Sequence, residues 1–220
     1  KLRVVKIDAE TKEVIKRAGI KFKILDTKTN EYVCQTTSYP KQKICVFETD
    51  ENGEFITAYP LNTGTYKLEE VDQVIDGYLW NKESHEFTID ENSVLREDSE
   101  YGIIFDTQFE NTPVKGEVKI EKVGEVARLD EGKGYKYINE KLAGIKFGIY
   151  QGDDEIATGI TDENGNLTFG NLKLGSYCVK ELKTLDGYIL NDKPVCFTLK
   201  YKDQYTPVIT YKTLIENKLK

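Results

Sequence analysis

The chain has no methionine, one histidine, one tryptophan and five prolines among its 220 residues. With His85 as its only imidazole and no C-x-x-C among its four cysteines, it offers little to a zinc or iron–sulfur site, and no metal or cofactor is expected. No Ser/His/Asp or Cys/His pairing and no glycine-rich phosphate loop is present, so a conventional enzyme is not expected either. No apolar run is long enough to span a membrane, and no sustained helical period occurs. A net charge of -7 and a pI near 5.0 argue against nucleic acid as a partner. The missing methionine and secretion signal are read as those of a monomeric fragment of a longer protein, with targeting and anchoring segments outside it.

What is present is β-forming. Fourteen Tyr and nine Phe accompany Val, Ile and Thr in short runs broken by Asn, Asp and Gly. The chain also repeats itself. AGIKF stands at 18–22 and 143–147, TDENG at 49–53 and 161–165, and DGY at 76–78 and 186–188. FEN at 109–111 is echoed by IEN at 215–217. The order is the same both times, which implies tandem domains at 1–113 and 114–220, joined end to end at NTPVKGE with limited freedom. About seven short strands per repeat are expected, packed as a sandwich. Each TDENG, with Asn-Gly between strand-like runs, predicts a tight hairpin. A calcium loop is the sharper reading of these acidic turns, but the EF-hand spacing is absent.

Between the KFKI-type strand and TDENG the first repeat has 24 residues against 11 in the second. The added segment, about 26–48, contains Cys34 and Cys45 on either side of TTSYPKQ, as the two arms of a hairpin that a disulfide would staple. In the second repeat Cys178 aligns with Lys67 and Cys196 with Glu86. A cross-strand ion pair in one copy would then become a disulfide in the other, if those positions face each other. Free buried cysteines are the alternative. An even count fits an oxidising compartment.

Three polar residues lie on otherwise apolar strand faces in each repeat. Side chains alternate along a strand, so Leu2, Val4 and Lys6 share a face, as do Val118, Ile120 and Lys122. Tyr66, Leu68 and Glu70 alternate likewise, matched by Tyr177, Val179 and Glu181. Phe109 with Asn111, and Ile215 with Asn217, complete the set. The plain reading is strand-end residues whose polar tips turn to solvent. The alternative is chemical. A lysine in apolar surroundings becomes a neutral, nucleophilic amine. A carboxylic acid kept protonated by such surroundings donates to the Asn carboxamide oxygen, polarises its carbon and shuttles protons to departing ammonia. Folding would supply the orientation, and the product is a neutral Lys–Asn isopeptide amide.

The order VVKID…AGIKF…TDENGEF…GTYKLEE…DGY…FENT, repeated as KIEKVG…LAGIKF…TDENGNL…GSYCVKE…DGY…IENK, resembles Cna B-type domains over nearly the whole chain. These are the prealbumin-like repeats of Gram-positive surface adhesins and pilins. The resemblance implies an all-β fold of two tandem Greek-key, Ig-like β-sandwiches. It assigns Lys6, Glu70 and Asn111 to one self-made bond and Lys122, Glu181 and Asn217 to another, with Glu70 and Glu181 catalytic in a single turnover. The family's proline shortly before Gly-Tyr is absent in both copies. Glu70 also lies one residue further from its Gly-Tyr than Glu181 does, so Glu69 competes and only strand parity favours Glu70.

The function expected is a stiff stalk segment on the bacterial cell surface, cell-wall anchored elsewhere. Its partners would be neighbouring repeats and, through domains outside the fragment, a host matrix or glycan ligand. Two alternatives use the added hairpin. Tyr39 could anchor a ligand there, or Lys41 of Tyr39-Pro40-Lys41, similar to a pilin motif, could be a sortase acceptor.

Overall fold

The computed structural model describes all 220 residues, and every regular element in it is a β-strand. The chain divides into two compact units, Lys1–Pro113 with Asp203–Tyr205, and Val114–Lys202 with Thr206–Lys220.

The first unit opens with β1 (Leu2–Asp8), whose every residue except Arg3 is buried. β2 (Lys21–Asp26), β3 (Glu31–Tyr32), β4 (Gln35–Ser38), β5 (Lys41–Ile44), β6 (Phe47–Glu48) and β7 (Glu54–Ile56) follow. β8 (Gly64–Glu70), β9 (His85–Ile89), β10 (Leu95–Asp98) and β11 (Gly102–Asn111) complete it. One sheet has the order β10-β11-β1-β7 and the facing sheet β3-β2-β8-β9, with β6 also on β2. β1 and β11 run parallel, so the first strand lies against the last. Leu2 and Val4 from one sheet meet Phe22, Ile24, Tyr66 and Leu68 from the other around Phe109. β8 shows the period-2 pattern of a sheet with one wet face: Tyr66, Leu68 and Glu70 are buried and the residues between them are not.

The second unit comprises β12 (Lys115–Asp130), β13 (Gly134–Lys141), β14 (Lys146–Gln151) and β15 (Asp154–Ile160). β16 (Asn166–Leu172), β17 (Gly175–Lys183), β18 (Val195–Leu199) and β19 (Val208–Asn217) follow. β12 pairs with β13, β16 and, in parallel, β19, while the facing sheet has the order β15-β14-β17-β18. Val118, Ile120, Phe147, Val179, Phe197 and Ile215 form its core.

Two local expectations are revised. The strands number eleven and eight rather than about seven per repeat, because both copies carry added ribbons. One of these ribbons is new: β12 extends past the sandwich and turns back as β13, with Leu129 opposite Tyr135 and Ala127 opposite Tyr137, all exposed. Second, TDENG is not a hairpin turn. β6 pairs with β2 and β7 with β1, so the turn carries the chain from one sheet to the facing one; β15 and β16 do the same. The acidic turns use their own carboxylates internally. Asp50 Oδ1 accepts from the amides of Asn52 and Glu54, and Asp162 Oδ1 from those of Asn164 and Asn166.

Both disulfides are formed, with S–S distances of 2.04 Å for Cys34–Cys45 and 1.97 Å for Cys178–Cys196. The first closes the base of the β4–β5 ribbon. The second links directly opposed residues of β17 and β18, at the positions where β8 and β9 set Lys67 opposite Glu86.

Candidate functional site

The parallel pairing of first and last strands places each lysine beside its asparagine. Lys6 is level with Phe109 and Asp8 with Asn111, so Lys6 and Asn111 lie two residues apart on one face of neighbouring strands. Lys122 is level with Ile215 and Gly124 with Asn217, which reproduces the offset. The glutamates come from the facing sheet, Glu70 opposite Phe22 and Glu181 opposite Phe147. Lys6 and Lys122 are each 0% exposed, and Glu70, Glu181, Asn111 and Asn217 are buried with them. Neither lysine snorkels out.

Lys6 Nζ lies 3.4 Å from Glu70 Oε1, and Lys122 Nζ 3.5 Å from Glu181 Oε2. Each amine also donates to the backbone of the last strand, Lys6 to Phe109 O at 3.3 Å and Lys122 to Ile215 O at 3.1 Å. Lys122 further donates to Asn217 Oδ1 at 2.8 Å. Lys6 Nζ stands 4.7 Å from the centre of the Phe109 ring. Burial in these apolar walls pulls the Lys6 ammonium down to about 8, although Glu70 pulls the other way. Lys122 is lowered for the same reason, opposed by Glu181.

The asparagine amides are held the same way round in both units. Asn111 Nδ2 donates to Glu70 Oε2 at 2.9 Å and to Leu79 O at 2.6 Å. Asn217 Nδ2 donates to Glu181 Oε1 at 2.7 Å and to Thr184 Oγ1 at 2.7 Å. The carboxyl therefore meets the amide nitrogen, not the carboxamide oxygen expected from the residue types. In the first unit Leu79 O can only accept, which turns the nitrogen toward it, and in the second Lys122 Nζ donating to Asn217 Oδ1 sets the same orientation. Asn111 Oδ1 is left buried without a hydrogen-bond partner.

Glu69, the competitor of Glu70, lies on the outer face and accepts from the Tyr32 hydroxyl. Strand parity places Glu70 inward and Glu69 outward. Residues outside the six also hold the centre. Gly53 O accepts from the Lys6 amide at 2.8 Å, and Gly165 O from the Lys122 amide at 2.7 Å. Both glycines have positive φ, and a Cβ would stand 2.1 Å from Ile15 O at Gly53 and 2.5 Å from Lys122 O at Gly165. TDENG thus clamps the lysine-bearing end of the first strand, and its double occurrence was the signal available in the sequence. Leu79 and Thr184 left no such signal, because they lie in irregular loops and differ between the copies.

The DGY tyrosines fasten those loops. Tyr78 donates to Asp8 Oδ2 at 2.9 Å, and Tyr188 to Glu125 O at 3.0 Å. In the added ribbon of the first unit, Tyr39 is 97% exposed at the tip, next to the exposed Lys41.

A family model described as the SpaA prealbumin-like fold domain matches residues 1–100 and 133–213. The chain belongs to this family. The prealbumin-like fold implied by the resemblance to Cna B-type repeats is therefore the fold of this chain. Colossin-A of Dictyostelium discoideum is 29% identical over 161 residues, covering 70% of this chain and 1% of that protein. The Bacillus anthracis TIE protein structure is 24% identical, with a TM-score of 0.56, over 99% of this chain and 33% of that one. A minor pilin of Streptococcus agalactiae aligns over 100% of this chain and 95% of its own, at 18% identity and a TM-score of 0.37. The SpaA-family chain thus spans a third or less of the first two relatives. It contains no helix long and apolar enough to cross a membrane.

Proposed function

We propose that the chain is a stalk segment of a bacterial surface pilin or adhesin, in which each domain welds its first strand to its last. The reading rests on one observation above all: a buried lysine, glutamate and asparagine from the corresponding strands meet twice, with the carboxyl beside the amine and the amide nitrogen each time. Burying an unreacted ammonium among aromatic rings is costly, and a structural ion pair is seldom a net gain over apolar packing. A neutral amide in its place removes that cost.

In the first domain the neutral Lys6 Nζ adds to Cγ of Asn111, and the Cγ–Nδ2 bond breaks. Glu70 takes the proton that Nζ sheds and returns it to Nδ2, which leaves as ammonia. The second domain follows the same course with Lys122, Glu181 and Asn217. Each bond costs the chain one ammonia and needs no cofactor. The lowered Lys6 supplies neutral amine near neutral pH. Closing a loop of about one hundred residues stabilises a domain by roughly 4–5 kcal/mol in the chain-entropy account. Tension entering at the first strand would then leave by the last through covalent bonds, bypassing the sandwich between them. Two such domains in series make a segment that resists stretching.

Intact mass tests this directly. The chain is expected lighter than its disulfide-bonded sequence by two ammonia, with Lys6→Ala and Lys122→Ala each restoring one. A wild-type mass equal to the sequence ends the proposal.

A second reading is favoured by Tyr39, held bare on a disulfide-stapled ribbon. Such a rigid aromatic suits ligand capture at low entropic cost. Removal of residues 35–44 is expected to lower adhesion to matrix proteins or glycans if the ribbon binds, and unchanged adhesion rejects it.

A further inference from the structure

The asparagines of the two centres stand where the last strand has no neighbouring strand on one side. β10 covers β11 only over Gly102–Phe105, and β19 pairs with β12 alone. Around Asn111 and Asn217 the loop after DGY takes that edge, in the same way twice. Leu79 N donates to Thr112 O and Ile189 N to Lys218 O, each at 2.9 Å. Two residues further on, a side chain takes over from the backbone. Asn81 Nδ2 donates to Glu110 O at 2.8 Å, and Asn191 Nδ2 to Glu216 O at 3.2 Å. The carbonyls just before and just after each centre's asparagine are thus both held, one by a carboxamide and one by a backbone N–H. The other end of each carboxamide is fixed too. Asn81 Oδ1 accepts from Glu83 N at 3.0 Å, and Asn191 Oδ1 from Lys193 N at 3.2 Å. Both residues are half-buried and both stand five places after the aspartate of DGY, so the repeated motif extends to DGYxxN.

We propose that Asn81 and Asn191 are positioning residues for the two cross-links, acting through the backbone of the last strand. The inference rests on the isopeptide reading above. Neither carboxamide touches a reacting atom. The parallel ladder ends at the pairs Asp8–Asn111 and Gly124–Asn217, so each attacked residue sits at the end of its strand, where ladders fray. Its Cγ lies two bonds from Cα, and its place relative to the lysine follows the backbone. The lysine is anchored independently, by the carbonyl of Gly53 or Gly165 on its amide. Holding Glu110 or Glu216 on the open edge keeps the asparagine in line with that fixed amine. A drift of about 1 Å between reacting atoms can cost about a hundredfold in rate. In the first unit the Asn81 backbone N–H also donates to Glu70 Oε2 at 3.0 Å. One residue there ties the carboxyl from the facing sheet to the strand that bears Asn111.

The full chain, recovered unfolded and refolded under disulfide-forming conditions, provides the test. Intact mass follows ammonia loss, peptide mapping separates the β1–β11 link from the β12–β19 link, and near-UV circular dichroism times folding separately. Asn81→Ser keeps a neutral oxygen for the Glu83 amide but is too short to reach Glu110 O. It is expected to slow the first link by about tenfold or more, the scale of one hydrogen bond lost at the transition state. The second link's rate serves as an internal clock. Asn191→Ser should do the converse, and it carries the test alone should Asn81→Ser not fold. The pH profile separates aim from packing. Lys6 faces Glu70 from β8 and senses Glu110 on β11, and the substitution changes neither charge. The first-link rate of Asn81→Ser should therefore still climb through about 8, to a lower plateau. A merely structural loss would admit water to Lys6 and move the midpoint back toward 10.5. That outcome overturns this inference, as do equal first-link rates for wild type and Asn81→Ser, and both leave the isopeptide reading standing. No ammonia loss in the wild type overturns the isopeptide reading itself.

Discussion

The two units hold the same three buried groups but surround them differently, and the differences separate what the centre needs from what it tolerates. Common to both are the two-residue offset of Lys and Asn on parallel strands, the Glu from the facing sheet and the glycine carbonyl on the lysine amide. The second amide partner of the asparagine varies, a carbonyl in one copy and a hydroxyl in the other. So does the link between the strand carrying the Glu and its neighbour, Lys67 facing Glu86 in one unit and a disulfide in the other. The ribbons sit in different loops, β4–β5 in the first unit and β12–β13 in the second. Additions are confined to the periphery because the sealed centre leaves no room for them.

The strongest way to break the comparison is to remove one glutamate. Glu181→Ala is expected to abolish the second cross-link, worth about 4–5 kcal/mol of loop closure. It also strands Lys122 without its counter-charge, at about 3–5 kcal/mol. Calorimetry should show the second unit's transition lost or moved far down while the first unit's persists, with Glu70→Ala doing the converse. Two transitions shifting together would contradict independent centres.

Asn111→Ala sharpens the electrostatic half. With no bond possible, Lys6 stays an amine whose folded pKa, about 8, lies below its ordinary 10.5. Between those values the unfolded chain binds the extra proton, so stability should rise with pH, by on the order of 3 kcal/mol in all. In the wild type the same titration should make the rate of the first cross-link climb as pH rises through about 8. Denaturant melts and timed mass spectra at stepped pH check the two halves, and a flat profile would count against a lowered lysine.

Reducing agent should act unequally. Opening Cys178–Cys196, which closes an 18-residue separation, is expected to cost the second unit about 3 kcal/mol in the chain-entropy account. Opening Cys34–Cys45 should loosen the β4–β5 ribbon, read as faster amide exchange there, with little change in the first unit's melting. The smallest effect is expected from shortening the β12–β13 ribbon at residues 127–137. Those residues are exposed beyond the sandwich, so the second unit's stability should change by about 0.5 kcal/mol or less.

Much of the centre was legible in the sequence because a strand has a period of two. Once Val4 and Ile120 are placed inward, Lys6 and Lys122 must follow, and the same parity separates Glu70 from Glu69. Repetition turned a weak pattern into a strong one. The opposed cysteines were legible too, from the Lys67 and Glu86 positions they replace. TDENG was misread as a hairpin because Asn-Gly marks a reversal of direction without saying which sheet the next strand joins. The β12–β13 ribbon escaped notice because it has no counterpart in the first repeat against which to align.

The sequence alone determined the β class, the inward faces of the strands that carry the centre, the two-fold repetition and which residue types enter each interior, since all of these follow from local alternation and from identity between copies. Tertiary structure alone decided that the first strand lies parallel to the last, that the glutamate arrives from the opposite sheet, and that Leu79 and Thr184 reach the two amides. Those contacts join residues far apart in the chain, and they are set by how two sheets close over a shared core, a cooperative outcome that no local period encodes.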